Sequence, residues 1–189
     1  MSKYNILALF GESGVGKDTI QKWIVSTHPE INGIVSCTTR PPRDYEEHGK
    51  DYWFLSVEDF AQKVVDGSML EATSFNDWFY GTAIESLDIN KINVGVFNIQ
   101  GIECLLDDKS RLNVIPVRVI TRGKERLIRA LTREENPDCY EICRRYLSDI
   151  KDFNDVEFEY EFFYNEGELD IFQSEEKQLE VVKLLSKFN

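Results

Sequence analysis

Three features of the sequence predict an α/β fold built as three layers, with a mainly parallel central sheet covered by helices. Short apolar runs alternate with amphipathic helical stretches, the first run ends in a glycine-rich turn carrying a lysine, and an aromatic-rich segment breaks the alternation between about residues 37 and 89. At 189 residues the chain is long enough for one sizeable core, so a single folding unit is expected.

The elements follow in order. YNILALF (Tyr4–Phe10) is a short apolar run ending at a glycine, the pattern of a buried strand. After the turn, TIQKWIVS places Ile20, Trp23 and Ile24 at helical spacing. YWFL, MLEATSF and DWFYG are strand-like and form the inserted segment. GVFNIQG (Gly95–Gly101) and NVIPVRVI (Asn113–Ile120) read as two further strands, with ECLLDD as a short helix between them. KERLIRALTREE and YEICRRYLSDIKDF read as helices, YEFFYN as a strand, and EEKQLEVVKLLSKF as a closing amphipathic helix.

Composition excludes several classes of function. A formal net charge of −12 with no basic stripe argues against duplex nucleic acid as a partner, so a phosphate site has to be a local basic island. No apolar run approaches the roughly 18 residues of a membrane span, and MSKYNILALF lacks the zones of a signal peptide, so no membrane association and a cytoplasmic location are expected. Cys37, Cys104, Cys139 and Cys143 form no C-x-x-C pair, and with only His28 and His48 no zinc spacing can be assembled.

GESGVGKDT (Gly11–Thr19) carries the chemistry of a phosphate loop. Glycines at positions 11, 14 and 16 let backbone N–H groups face a phosphate, the following helix adds positive potential at its N-terminus, and Lys17 reaches the outer phosphoryl groups. Glu12, Ser13, Val15 and Thr19 complete the stretch expected to hold a nucleotide triphosphate. One position departs from the pattern. The hydroxyl that usually follows the lysine and holds Mg²⁺ is replaced by Asp18, while the strand expected to end in a carboxylate ends in Asn98. A swap accounts for both: Asp18 approaches Mg²⁺ directly or through water, and Asn98 offers a neutral oxygen. The plain alternative is that Asp18 only favours the first helical turn and that the metal site is weakened.

VSCTTRPPR (Val35–Arg43) sets Arg40 and Arg43 around two prolines. Prolines favour an extended segment with three residues per turn, which brings both guanidinium groups to one side as a phosphate clamp.

From here the residues resemble a known family. SCTTRPPR, EEHGKDYWF, MLEA and FYGT, in this order behind the phosphate loop, look like guanylate kinase, strongly in the first half of the chain and diffusely after about Ile84. The resemblance implies a P-loop kinase in three parts: a core (about 1–36, 90–125 and 150–189), a β-rich monophosphate-binding lobe (about 37–89) and a helical lid (about 126–149), with Mg²⁺ as cofactor and ATP and GMP or dGMP as small-molecule partners. It implies that Arg40, Arg43, Tyr52 and Tyr80 hold the GMP phosphate and that Ser36, Glu71 and Thr82 read guanine. It implies that Lys17, Arg40, Arg133 and Arg145 serve phosphoryl transfer and that Asn165 lies near the adenine. Arg126, Arg129 and Arg144 are explained about equally well as solvated helix faces. Where the family commonly reads Asp-x-Asp-x-Gln-Gly, this chain has NIQG with a shorter spacing, so Gln100 either replaces the second acid or is the family's glutamine shifted by a deletion.

Three functions remain open at this stage: a guanylate kinase, a kinase of the same architecture for another deoxynucleotide or a phosphorylated sugar, and a binding module that has lost catalysis. The chain is expected to act as a monomer or homodimer.

Overall fold

The computed structural model describes residues 2–75, 77–133, 135–154, 159–163 and 174–188. A five-stranded parallel sheet forms the centre, in the order β2 (Asn32–Gly33), β7 (Ile92–Val96), β1 (Tyr4–Phe10), β8 (Leu112–Ile120), β9 (Tyr160–Phe163). A second, four-stranded sheet runs β4 (Trp53–Phe54), β3 (Cys37–Thr38), β6 (Trp78–Ala83), β5 (Met69–Phe75).

β1 shows why the central strands read as unbroken apolar runs. Side chains alternate across a sheet, and both faces here are covered. Leu7 and Leu9 enter one core with Ile20, Trp23 and Ile24 of α1 (Lys17–Thr27) and with Val181 and Leu184 of α6 (Glu175–Leu185). Ile6, Ala8 and Phe10 enter the other with Ile102 and Leu105 of α3 (Ile99–Asp107). Fully burying each such Leu, Ile or Phe contributes about 1.5–3 kcal/mol, so neither face tolerates a polar residue between Ile6 and Phe10.

Between β2 and β7 the chain builds the second sheet and α2 (Val57–Val65), which inserts Phe60 against Cys37 and Ala83 and stacks it on Phe79 at 5.7 Å. The apolar YWFL segment yields only the two-residue strand Trp53–Phe54, because its neighbours turn away to cap α2 at Ser56. Gly95–Gly101 is likewise not one strand. β7 stops at Val96, and Asn98 caps α3 by accepting the Gly101 N–H at 2.7 Å. α4 (Gly123–Thr132) ends at the first residue of the TREE segment, leaving Arg133 at its C-terminal boundary, and α5 (Cys139–Asp152) follows. The break at Val96–Asn98 falls at the carboxyl end of a parallel strand, where ligands of open α/β sheets bind.

Asn93 anchors β7 where it enters the sheet. It is fully buried, its amide nitrogen donates to Asn5 O (3.1 Å) and Asp88 O (2.9 Å), and its oxygen accepts from Asn32 Nδ2 and Asp88 N, both at 2.8 Å. Asn93→Leu is expected to lower stability by about 2–3 kcal/mol in urea unfolding, because it strands buried backbone groups.

Candidate active site

The glycine turn after β1 has a shape that its residues dictate. Gly11 and Gly14 hold φ at 143° and 79°, where L side chains are strained. A Cβ on Gly11 would lie 2.4 Å from Val119 O, and one on Gly14 2.8 Å from Arg126 O. Val15 is fully buried in the core, and Glu12 is turned away from the cleft toward Arg126 (3.7 Å) and Arg118 (3.5 Å). Gly16 is the left-handed cap of α1, whose first turn carries Asp18. Lys17 Nζ donates to Gly11 O (2.8 Å) and Glu12 O (3.0 Å). Burial pushes its ammonium downward, against the pull of Asp18, Asp149 and Glu12.

A cleft of about 600 Å³ runs from this turn to the second sheet. Its lining includes Gly11, Ser13, Gly14, Lys17 and Asp18 from the turn and the start of α1, Ser36, Arg40, Arg43, Tyr52, Glu71 and Tyr80 from the chain that builds the second sheet, Asn98 and Gln100 from the start of α3, and Arg133 and Arg145 from the end of α4 and from α5. Thr19 is exposed on α1 and is not among the lining residues, nor are Glu12, Val15, Gly16 and Thr82. Asn165 lies outside the described residues.

Arg40 and Arg43 reach the same carboxylate. Glu46, buried with 5% of its side chain exposed, accepts Arg40 Nη2 at 2.8 Å, Arg43 Nη1 at 3.2 Å and the Arg43 N–H at 2.8 Å. Burial pushes the Glu46 carboxyl upward, but the Arg40 hydrogen bond, the Arg43 backbone bond and both charges outweigh it and hold it below its ordinary range. Arg40 also lies over the rings of Tyr52 (5.6 Å) and Phe54 (5.8 Å). The Tyr52 hydroxyl is pushed up by burial, with the nearby Asp18 charge adding to the shift.

Glu71 and Thr82 are cross-strand partners in the β5–β6 hairpin. Burial raises the Glu71 carboxyl to about 7, and the neighbouring polar groups of Thr82 offset only part of that rise. Gly101 lets α3 come close: a Cβ there would lie 3.3 Å from Glu71 Oε2. Asn98, expected to present an oxygen to a metal, instead spends its oxygen on the α3 cap and its nitrogen on Thr73 Oγ1 at 2.8 Å.

Above the cleft, Glu141 accepts Arg145 Nε at 2.6 Å and binds Arg144 through both oxygens, and these arginines, Arg144 first, hold its carboxyl at about 2. Arg145 lies 5.7 Å over the Phe75 ring at the tip of β5, so the α4–α5 pair touches the second sheet. Arg126 is no solvated helix residue: it is 4% exposed and paired with Asp149 at 2.7 Å.

A guanylate kinase family profile matches residues 3–170. The chain belongs to the guanylate kinase family. It is 32% identical over 187 residues to a guanylate kinase of Helicobacter pylori, covering 96% of this chain and 88% of that protein. It is 38% identical over 98 residues to one from Nostoc sp., a match spanning 52% of this chain and about half (49%) of that relative's length. Among solved structures, guanylate kinase from Anaplasma phagocytophilum superposes with a TM-score of 0.64 at 19% identity, over 97% of this chain and 87% of that one, which establishes the shared fold.

The family motif corrects the reading of NIQG. Val96–Gly101 fills all six places of Asp-x-Asp-x-Gln-Gly, so there is no deletion and no shorter spacing: Gln100 is the motif's own glutamine, Asn98 stands at the second acid and Val96 at the first. Both acids are therefore absent from this segment of a cleft that Asp18 and Asp149 also line. Sequence reasoning assigned no role to Glu46, although it is the first residue of the E-x-x-G motif, and it overlooked Asp149, which carries no motif at all.

Removing the shared counter-ion tests the clamp. Glu46→Ala uncovers two cations, one of them buried, and is expected to cost about 3 kcal/mol in urea unfolding, with GMP binding weakened in parallel when measured calorimetrically.

Proposed function

We propose that the chain transfers the γ-phosphoryl group of ATP to GMP or dGMP, giving ADP and GDP or dGDP. The observation that carries this reading is the one cleft lined together by Lys17 and the glycine turn, by the Arg40–Arg43 pair and by Glu71. On this reading the chain divides into three parts, a core, a monophosphate lobe near 37–89 and a lid near 126–149.

ATP enters at Gly11–Thr19. The turn's inward N–H groups and Lys17 take the β- and γ-phosphates. GMP enters opposite, its phosphate held by Arg40, Arg43, Tyr52 and Tyr80. Ser36 and Glu71 read the base, Glu71 accepting from the ring N–H and the exocyclic amino group of guanine, while Thr82, buried and outside the cleft lining, stands behind Glu71 as its cross-strand partner. Adenine would turn a bare ring nitrogen toward that carboxylate and leave a buried charge unpaired.

The acceptor phosphate, with a second pKa of about 6, is a dianion at neutral pH and requires no general base. Its oxygen attacks the γ-phosphorus while the bond from that phosphorus to the β–γ bridging oxygen breaks, and the electron pair leaves with ADP. Arg133 and Arg145 stand where two polyanions meet and offset their repulsion. Arg145 must exchange Glu141 for phosphate as it does so.

Mg²⁺ fits this donor set with one change from expectation. Asp18 lines the cleft beside Lys17 as a hard oxygen ligand, and Mg²⁺ is satisfied by one or two carboxylates with phosphate oxygens and water. Asn98 keeps its role as a helix cap and contact to Thr73. When bound with ATP, the ion would supply charge neutralisation on the β- and γ-phosphates.

An ADP-release assay with ATP, Mg²⁺ and a panel of GMP, dGMP, AMP, IMP and UMP tests the reading. Turnover confined to guanine nucleotides supports it. Turnover with other acceptors, or silence with all, contradicts it. Glu71 adds a pH signature. Its carboxyl, raised to about 7 by burial, is mostly protonated below that pH and then offers guanine one acceptor instead of two. The KM for GMP is expected to fall as pH rises from 6 to 8 with a break near 7, and Glu71→Gln should abolish that break while keeping the one from the GMP phosphate near 6.

A further inference from the structure

The buried pair Arg126–Asp149 bonds to the glycine turn at Ser13, with Asp149 also lining the cleft, and takes no part in the scheme above. We propose that Asp149 is a positioning residue which, through Arg126 and Ser13, holds the turn in its phosphate-receiving shape before ATP arrives.

The geometry is specific. Asp149 Oδ2 accepts the Ser13 N–H at 2.8 Å and Arg126 Nη2 at 2.7 Å, and Arg126 Nε donates to Ser13 O at 3.0 Å. Both backbone polar groups of Ser13 are thus held from the α4–α5 side. Arg129 Nη1 continues the pattern, donating to Gly14 O at 3.2 Å and Val15 O at 3.1 Å, and Thr121 Oγ1 donates to Val15 O at 3.1 Å.

Peptide planarity turns these bonds into an orientation. In a trans peptide the C=O of one residue and the N–H of the next point in opposite directions. Holding the carbonyls of Ser13, Gly14 and Val15 outward therefore aims the N–H groups of Gly14, Val15 and Gly16 the other way, toward the cleft. Two cations are required for this, and in so enclosed a place they need a counter-charge. Asp149, 7% exposed, provides it for Arg126. Its carboxyl is raised by burial, against the Ser13 N–H and the Arg126 and Lys17 charges. The close approach is possible because Gly14 has no side chain.

The proposal rests on the ATP site of the function given above, so its test reads ATP binding without an acceptor. Calorimetric ATP affinity and the separate KM values for ATP and GMP are measured in Asp149→Ala and in the isosteric Asp149→Asn, which keeps an acceptor for Ser13 but lacks the charge facing Arg126. Asp149→Ala is expected to weaken ATP binding and raise the ATP KM about tenfold, leave the GMP KM within about twofold, and be partly rescued by Asp149→Asn. ATP affinity within about twofold of the unaltered protein overturns the proposal, as does an equal rise in both KM values, the mark of a merely structural role. Should Asp149→Ala fail to fold, Asp149→Asn decides by the same thresholds. Hydrogen exchange on the unaltered, nucleotide-free protein provides a check that needs no variant: the Ser13 amide should be strongly protected, and exchange at the rate of an open chain overturns the proposal. A protein that binds ATP in this way but phosphorylates no guanine nucleotide would defeat the functional reading and leave this one standing.

Discussion

Cations that must wait for phosphate have to be held by something else in the meantime. Arginines that face a common cleft repel one another, and a chain with a net charge of −12 meets this with carboxylates placed among them. Glu46 holds Arg40 and Arg43, Glu141 holds Arg144 and Arg145, and Asp149 holds Arg126. The acidic composition, which at first argues only against nucleic acid, is partly the counter-charge of the site itself.

These pairs differ in what they leave available. Arg145 pairs with a half-buried glutamate at the rim, where exchange of one anion for another costs little. Arg126 is paired with Asp149, donates through Nε to the Ser13 carbonyl and turns Nη1 toward Glu12, so it behaves as part of the loop's scaffold. Arg40 lies between these extremes: buried against Tyr52 and Phe54, yet lining the cleft. Arg40 and Arg126 are almost equally buried, so it is access to the cleft and not depth that separates arginines which look alike in the sequence.

Much of the fold was legible because its signals are local. The apolar run Tyr4–Phe10, the glycines at 11, 14 and 16 and the spacing of Ile20, Trp23 and Ile24 each depend on near neighbours in the chain. The reading failed where a side chain's partner lies far away. Arg126 gives no sign in the sequence of its pairing with Asp149, which stands 23 residues on, or with Ser13, 113 residues back. Asn98 looked like the end of a strand because the GVFN run is apolar, but a cap is defined by the helix that follows it. Lys17 was identified with ease, while the groups that hold its loop in shape were not.

The central claim is that two phosphate sites face each other across one cleft at the distance of a shared phosphoryl group. Calorimetric binding of adenosine and guanosine joined 5′ to 5′ through five phosphates measures this directly. The account predicts an affinity at least about a hundredfold tighter than that of ATP or GMP alone, because the second site is engaged at the high effective concentration set by the link. A linked compound that binds no tighter than ATP would contradict it.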